Sequence, residues 1–484
     1  MSLSPSGVRI QGDDYQHLFA WYHALRVLNP VENVTGIAIE AENAGNVDDV
    51  VVRHASGLDE HYQVKYSVTA SNPINQAWWT TPATKAGKSP LQRFWASWQL
   101  LRRAGPPPPH MGLYTNRPLD VSDPVLVLRE GSSGYLGPRL RLVGPKTDAG
   151  KGLTAWATHI GVPEADLLEM LHHLELRTDQ GPSSALITST SDRMAAVGLQ
   201  SNELAVEHGI AASRSWVTGG EREISRAMIE TAIAHRKLHG GERRATLFVQ
   251  AIDRDPWATS ATASLDWVDL FDGDHPRSRR QLRDPSLWNA RLRPELEAAE
   301  LKIRGLGFDR VMVRGSMRLP AWFATGVAFG DTRGMRVACI QNGERWGTDV
   351  TPGDFQINVP SPVEVGAGAE LAIGLSVTNN LSQDVLAYVR SAALPVKRFV
   401  HIAVAPAPSK TAIPDAARAM GWAIKVRDVV REQVRETGAR KVHLFMSGPA
   451  AGAMFLGHVW NRVPATQLYE DMNPSYAPAF LIPG

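Results

Sequence analysis

From Ala245 onward the chain alternates short apolar runs with amphipathic stretches, and that alternation restricts the fold more than any other feature. Runs of strand length occupy 246–252, 310–314, 336–341, 371–375, 399–404, 441–446 and 465–469. Helical patterns stand near 287–304, 321–329, 382–390, 414–436 and 450–461. A strand that leads through a helix to another strand favours parallel pairing, with helices on both faces of the sheet. The expected class is α/β. The stretch is long enough for two similar halves, one before and one after about residue 395, although no residue-level repeat marks a duplication.

The N-terminal part reads differently. A helix is expected from about Asp13 to Asn29, with Leu18, Trp21, Tyr22, Leu25 and Leu28 on one face. Pro30 ends it. Strands follow at 35–40, 47–53 and 61–67, separated by turns at Gly45-Asn46 and Gly57-Leu-Asp59, an order prone to antiparallel pairing. Next come a helix at 91–103, a stiff proline run at 106–109, strands near 111–115 and 124–128, and a mostly helical stretch from about 151 to 238.

The third of these strands carries Gln63 and Lys65, whose side chains share one face because alternate residues do. The strand before it opens with Asp48-Asp49. Neighbouring strands would bring a carboxylate, an amide oxygen and an ammonium together, a set suited to metal-assisted phosphodiester hydrolysis. Oxygen ligands from Asp49 or Asp48 and from Gln63 suit a hard cation, Mg²⁺ or Mn²⁺. Such a cation polarises the phosphate and lowers the pKa of an attacking water, while Lys65 neutralises charge in the transition state. Alternation leaves the choice between Asp48 and Asp49 open; Asp49, directly ahead of the valine run, is favoured. Glu40 and Glu42 are further candidate carboxylates, and Gln16, in the first turn of the helix, a candidate supporting donor. A solvated strand face with a surface lysine has the same pattern.

Charge is informative here only in its distribution. The formal net charge is +2. Residues 9–64 hold nine acids against three bases, and residues 66–150 ten bases against four acids. An acidic segment followed by a basic one fits a metal pocket beside a phosphate-binding surface, and equally ordinary domain electrostatics. A single cysteine, Cys339, excludes internal disulfides and a cysteine-built zinc site. No apolar run approaches the roughly 18 residues that cross a bilayer, so a soluble, cytoplasmic protein without a membrane partner is expected.

In the C-terminal part, ligand contacts are expected at the carboxyl ends of the strands. Ser447-Gly448-Pro449 follows one strand and opens a helix, where a hydroxyl and backbone amides can meet a phosphate. Ser409-Lys410 follows another and offers a cation. Arg314 and Arg318 end a third, with Trp322 available to stack on a base. The loop 253–257 is a fourth strand end. Each also fits a plain turn or cap. His172, His173 and His401 are read as packing or surface residues.

These residues resemble known families. Asp13-Asp-Tyr-Gln16, Asp48-Asp49 and Gln63-Val-Lys65 are similar to the PD-(D/E)xK nuclease core in its Gln-x-Lys variant, the restriction-endonuclease-like domain of bacterial anti-phage effectors. The C-terminal part resembles the SAVED domain, the cyclic-oligonucleotide sensor of CBASS immunity. That likeness rests on Val400-His-Ile-Ala-Val-Ala-Pro-Ala-Pro-Ser-Lys410, Ala416-Ala-Arg-Ala-Met-Gly-Trp422, His443-Leu-Phe-Met-Ser-Gly-Pro-Ala450 and Trp460-Asn-Arg-Val-Pro-Ala-Thr-Gln-Leu-Tyr-Glu-Asp471. The resemblance implies a nuclease domain over 1–238 and a SAVED domain of two fused CARF-like, Rossmann-like halves over 239–484, with Tyr469 among its ligand contacts. It also implies double-stranded DNA as substrate, cut with little sequence preference, a cyclic trinucleotide-type messenger as activator, and homo-oligomers formed on ligand binding. Two alternatives stay open. One is a restriction-type nuclease with a different C-terminal ligand; the other is a sensor without catalysis.

Overall fold

The computed structural model describes residues 5–67, 72–84, 86–103, 105, 108–130, 134–178, 183–255, 257–273, 276, 278–473 and 475–484. The proline run 106–109 and the loop 179–184 lie partly outside them. The chain forms two compact units, Met1–Arg243 and Arg244–Gly484.

In the first unit six strands make one sheet: β1 (Val34–Ile39), β2 (Val50–His54), β3 (Glu60–Lys65), β4 (His110–Thr115), β5 (Leu174–Arg177) and β6 (Glu223–Ser225). Their order is β5-β4-β3-β2-β1-β6. The β1–β2 and β2–β3 pairs are antiparallel, as short connecting turns require, whereas β3–β4 and β4–β5 are parallel. The helix Pro5–Ala24 lays its aromatic face on one side of this sheet. Tyr15 meets Tyr66 at 4.8 Å, Phe19 meets Tyr62 at 5.3 Å, and Phe19 meets Tyr114 at 4.3 Å between ring centroids. Leu113, Met111 and Val47 join a second core with Trp79, Phe94, Trp98 and Trp156, all buried. The helix Pro90–Arg102 in that layer opens on a capping box formed by Ser89 and Gln92.

Three elements depart from expectation. Residues 124–128 form a 3₁₀ turn at Leu126–Leu128 instead of a strand. The Asp123 carboxylate accepts from the amides of Val125 and Leu126 at 3.0 Å each, and this local pairing winds the backbone away from a ladder. Strands β5 and β6 lie within the stretch read as helical; at four and three residues they are too short for a period-2 pattern to stand out.

The second unit holds two sheets. The first contains β7 (Ala245–Gln250), β8 (Ala263–Asp266), β9 (Arg310–Arg314), β10 (Arg336–Gln341) and β11 (Glu344–Gly347), in the order β11-β10-β9-β7-β8. All pairs are parallel except the β10–β11 hairpin. The second contains β12 (Ile357–Asn358), β13 (Val363–Glu364), β14 (Glu370–Ser376), β15 (Val396–Val404), β16 (Lys441–Ser447), β17 (Ala465–Asp471) and β18 (Tyr476–Ile482), in the order β12-β15-β14-β16-β17-β18, with β13 also on β15. The central strands β15, β14, β16 and β17 are parallel.

The division between halves therefore falls between β11 and β12, not near residue 395. Strand β14 is the reason. Every residue from Leu371 to Ser376 is buried, so both its faces and both its edges need partners, and β15 and β16 supply them. The helices Leu319–Ala328 and Ala450–His458, one from each half, pack on each other within one continuous apolar core.

Candidate active site and candidate ligand site

Antiparallel register sets Val50 opposite Tyr62, so Asp49, one residue earlier, comes opposite Gln63. The Gln63 amide donates to Asp49 Oδ2, and the Val64 backbone amide donates to the same oxygen at 2.7 Å. Thus it is Asp49 that reaches Gln63. Gln63 is 4 % exposed while Lys65, two residues on, is exposed. The strand therefore runs from a dry interior to the solvent edge within the motif. The Lys65 charge acts on both Asp48 and Asp49. Burial pushes the Asp49 carboxyl up to about 6, and the Asp48 charge adds to this against the Val64 amide and Lys65. Asp48 is raised as well, first by burial and also by Glu40.

Glu40 is placed otherwise than expected. Glu40 follows β1 at φ 51°, and its exposed carboxylate is taken by Arg222. It biases Asp48 through its charge and is not joined to Gln63. Gln16 belongs to the helix whose rings cover Tyr62, Tyr66 and Tyr114. Those rings lie on the reverse face from Gln63 and Lys65, and among the described residues no hydrogen bond joins Gln16 to Asp49, Gln63 or Lys65.

The residues present suit a hard dication. Among the described residues no three His, Cys, Asp or Glu side chains converge as a metal site, so the donors on offer are the Asp49 and Asp48 carboxylates and Gln63, whose amide nitrogen faces Asp49 here and whose oxygen would meet a cation after a turn about its terminal bond. One or two carboxylates, completed by water and phosphate oxygens, is the usual way Mg²⁺ is held. A half-buried carboxylate displaced this far upward is one that a cation would return to its ionised form.

In the second unit the loops after the parallel strands meet. The Ser447 hydroxyl at the end of β16 bonds the Thr378 hydroxyl at 2.6 Å and accepts from the Asn379 backbone amide at 3.2 Å. The Ser409 amide donates to the Val377 carbonyl at 2.9 Å, leaving the Ser409 and Lys410 side chains exposed. Gly448 and Pro449 border an apolar crevice with Val377, Trp422, Met446 and Leu319. Leu319 directly follows Arg318, so the crevice brings the strand-end loops of both halves side by side. Arg314 is half-buried, and its charge acts on Asp255 and Cys339. The Arg318 guanidinium donates to the Arg279 carbonyl at 2.5 and 3.2 Å and stands 3.8 Å from Glu470.

Two expected contacts are corrected. Trp322 is 8 % exposed inside the main core and offers no free face to a base. Tyr469 is 4 % exposed, stacked on Phe445 at 4.2 Å and bonded to His443 Nδ1 at 2.8 Å, so it is part of the scaffold. Thr378, Asn379 and Glu470 carry no sequence signal of their own. The strand-end rule applied to β14 points to the first two; Glu470 stands out only once its burial is seen.

Glu470 carries a prediction. Burial pushes its carboxyl up to about 8, with Asp471 adding and Arg318 and Arg280 opposing. The folded chain therefore holds this proton more tightly than the unfolded chain, and folding loses stability as pH rises from 4.5 toward about 8. Glu470→Gln is expected to match the native protein at pH 4.5 and to melt about 5 °C higher at pH 8.5. Calorimetric melts across that range check it; a parallel pH dependence in both proteins contradicts it.

Residues 292–482 match the model of the SAVED family, the SMODS-associated and fused to various effectors sensor domain. The chain is 22 % identical over 509 residues to CD-NTase-associated protein 4 of Enterobacter hormaechei subsp. hoffmannii (strain UCI 50), covering 97 % of this chain and 98 % of that one. Among solved structures, the Acinetobacter baumannii Cap4 SAVED/CARF-domain containing receptor with the cyclic trinucleotide 3'3'3'-cAAA aligns at TM-score 0.46 and 16 % identity, over 99 % of each chain. The Moraxella osloensis Cap4 receptor aligns at TM-score 0.43 and 17 % identity, over 97 % of this chain and 99 % of that one. Among the described residues no helix is long and apolar enough to cross a membrane. Within the second unit, residues 292–482 are thus the stretch similar to the SAVED sensor domain.

Proposed function

We propose that this chain is an anti-phage defence effector of CBASS immunity: a metal-dependent endonuclease on double-stranded DNA, switched on when a cyclic oligonucleotide binds the SAVED domain. The observation that carries the nuclease half is the convergence of Asp49 on the Gln63 amide and the Val64 N–H, with Lys65 beside it at the solvent edge. Asp49, Gln63 and, on the neighbouring position, Asp48 would hold Mg²⁺ or Mn²⁺, which supplies Lewis acidity to the scissile phosphate. The Val64 amide fixes the direction of the Asp49 carboxylate, and β3 holds Gln63 rigid in the interior. Lys65 extends from that rigid strand into solvent, where its ammonium can meet a phosphate and neutralise the charge that grows as the bond to it forms. No helix-turn-helix or zinc-finger pattern is visible, and little sequence preference is expected.

For the sensor half, the support is the SAVED match together with the meeting of strand-end loops around Ser447, Thr378 and Arg318. Their hydroxyls, amides and guanidinium suit phosphates of a cyclic oligonucleotide. Ligand binding would shift the chain toward a homo-oligomer in which nuclease units act on one duplex. Plasmid DNA incubated with Mg²⁺ or Mn²⁺ and a panel of cyclic di- and trinucleotides, 3'3'3'-cAAA and 2'3'3'-cAAA included, tests the reading. Linear and degraded products are expected with at least one panel member and none with EDTA. Cutting without any nucleotide supports a restriction-type enzyme instead. A second reading, a sensor that signals without catalysis, is favoured by the lack of a third acidic or histidine ligand beside Asp48 and Asp49 among the described residues. Ligand binding without cutting under all conditions would establish it.

A further inference from the structure

Arg117 sits two residues past β4, whose Thr115 pairs with Lys65 across the β3–β4 ladder. Its partners differ from those of several arginines of this unit. Arg26, Arg53, Arg177, Arg214 and Arg222 each pair with a carboxylate. Arg117 instead donates to two neutral acceptors, the Asn72 carbonyl at 2.7 Å and the Pro73 carbonyl at 3.3 Å, and lies over the Trp78 ring at 5.7 Å from its centroid. The nearest acids in sequence are used locally. Asp120 accepts from the Ser122 amide and hydroxyl, and Asp123 accepts from Gln76, Val125 and Leu126 amides. Among the described residues no carboxylate pairs with Arg117.

The backbone beneath it is also fixed. Asn116 clamps Ser67, accepting from its amide at 2.8 Å and donating to its carbonyl at 2.7 Å, so the ends of β3 and β4 beyond Lys65 and Thr115 are tied together. A guanidinium has five donors; the carbonyls and the ring orient Arg117 without cancelling its charge. Stacking on an aromatic ring leaves the in-plane N–H groups free to meet a phosphate, and little side-chain entropy remains to be lost on contact.

We propose that Arg117, held over Trp78 at the Lys65 end of the sheet, contacts a backbone phosphate of duplex DNA and positions the strand against the Asp49–Gln63–Lys65 site. It is a positioning residue; it touches no reacting atom. The inference rests on the nuclease reading above and specifies which surface the duplex meets.

The test measures binding of a 30-base-pair duplex by the full chain in Ca²⁺, with the whole cyclic-nucleotide panel present, across a series of salt concentrations. Arg117→Ala is expected to weaken binding about tenfold at moderate salt and to lower the slope of log affinity against log salt by about 0.9, the signature of one lost phosphate contact. Arg117→Gln keeps a donor for the Asn72 carbonyl but no charge, and is expected to lose the same slope. Arg117→Lys is expected to restore the slope. A purely structural role for Arg117 moves stability and leaves the slope alone. Native slopes in both the Ala and Gln variants, with the unaltered chain binding DNA, overturn the inference and leave the nuclease reading standing. An unaltered chain that binds no duplex overturns both. Should Arg117→Ala fail to fold, the Gln and Lys variants separate the same outcomes.

Discussion

On the nuclease reading proposed above, Lys65→Ala is expected to lower metal-dependent cutting of duplex DNA by about a hundredfold or more, while leaving the fold and the proposed ligand binding by the second unit intact. The size follows from where the ammonium stands. It is the one component of the motif in solvent, so its removal opens no cavity and strands no buried partner. Its contribution is to the transition state, where a positioned cation beside developing charge is worth about two powers of ten. It also acts on the ground state, because its charge holds both Asp48 and Asp49 down. Without it both carboxyls rise further, and metal affinity falls as well. The two effects separate experimentally. Raising Mn²⁺ recovers the part due to metal binding, and the rest persists at saturating metal. Single-turnover cleavage of a plasmid, melting curves and cyclic-nucleotide binding make the comparison. Cutting at the native rate would mean that the chemistry, if any, lies elsewhere on the chain.

How much of this is legible in the sequence depends on the length scale of each feature. Long elements are readable because their patterns repeat: β9 and β10 occupy the expected residues, and the crossover helices lie within a few residues of their expected bounds. Pairing between β2 and β3 is readable because the turn between them is short, and it places Asp49 near Gln63 through register alone. Side-chain fates that depend on what covers a strand are not readable. Trp322 has the composition of a base-stacking residue, yet its helix lies between two sheets, and the ring is consumed by the core. Tyr469 follows a strand-end pattern but faces Phe445 and Tyr388. Arg117 carries no motif; its seat over Trp78 with two carbonyl partners, near the Lys65–Thr115 pair, is a three-dimensional property.

Gly326→Val is expected to prevent the second unit from folding, and Gly457→Val to do the same. At Gly326 a β-carbon would stand 2.0 Å from the Met454 carbonyl oxygen and 2.8 Å from the His458 nitrogen; at Gly457 it would stand 2.0 Å from the Phe323 carbonyl oxygen. Each glycine thus receives the backbone of the opposite helix, Leu319–Ala328 against Ala450–His458, in a reciprocal close approach. The obstructing atoms are backbone, so no rotamer change relieves the clash. The helices would have to separate by more than an ångström over their whole contact, unseating Phe323 from Trp460, whose rings meet at 5.3 Å. Interiors packed to crystal density do not absorb such a shift. Alanine at either position already costs about 3 kcal/mol, and valine, with two further methyl groups aimed at the same carbonyl, exceeds about 5 kcal/mol, a large part of the stability of a unit this size. The consequence is specific to one unit. The first unit, with its own sheet and cores, is expected to keep its melting transition, while the second loses its own along with the proposed cyclic-nucleotide binding. Calorimetry that resolves two transitions in the native chain, together with limited proteolysis, reads this directly. A second transition within about 2 °C of native in Gly326→Val would show that the two helices are not in the close contact described.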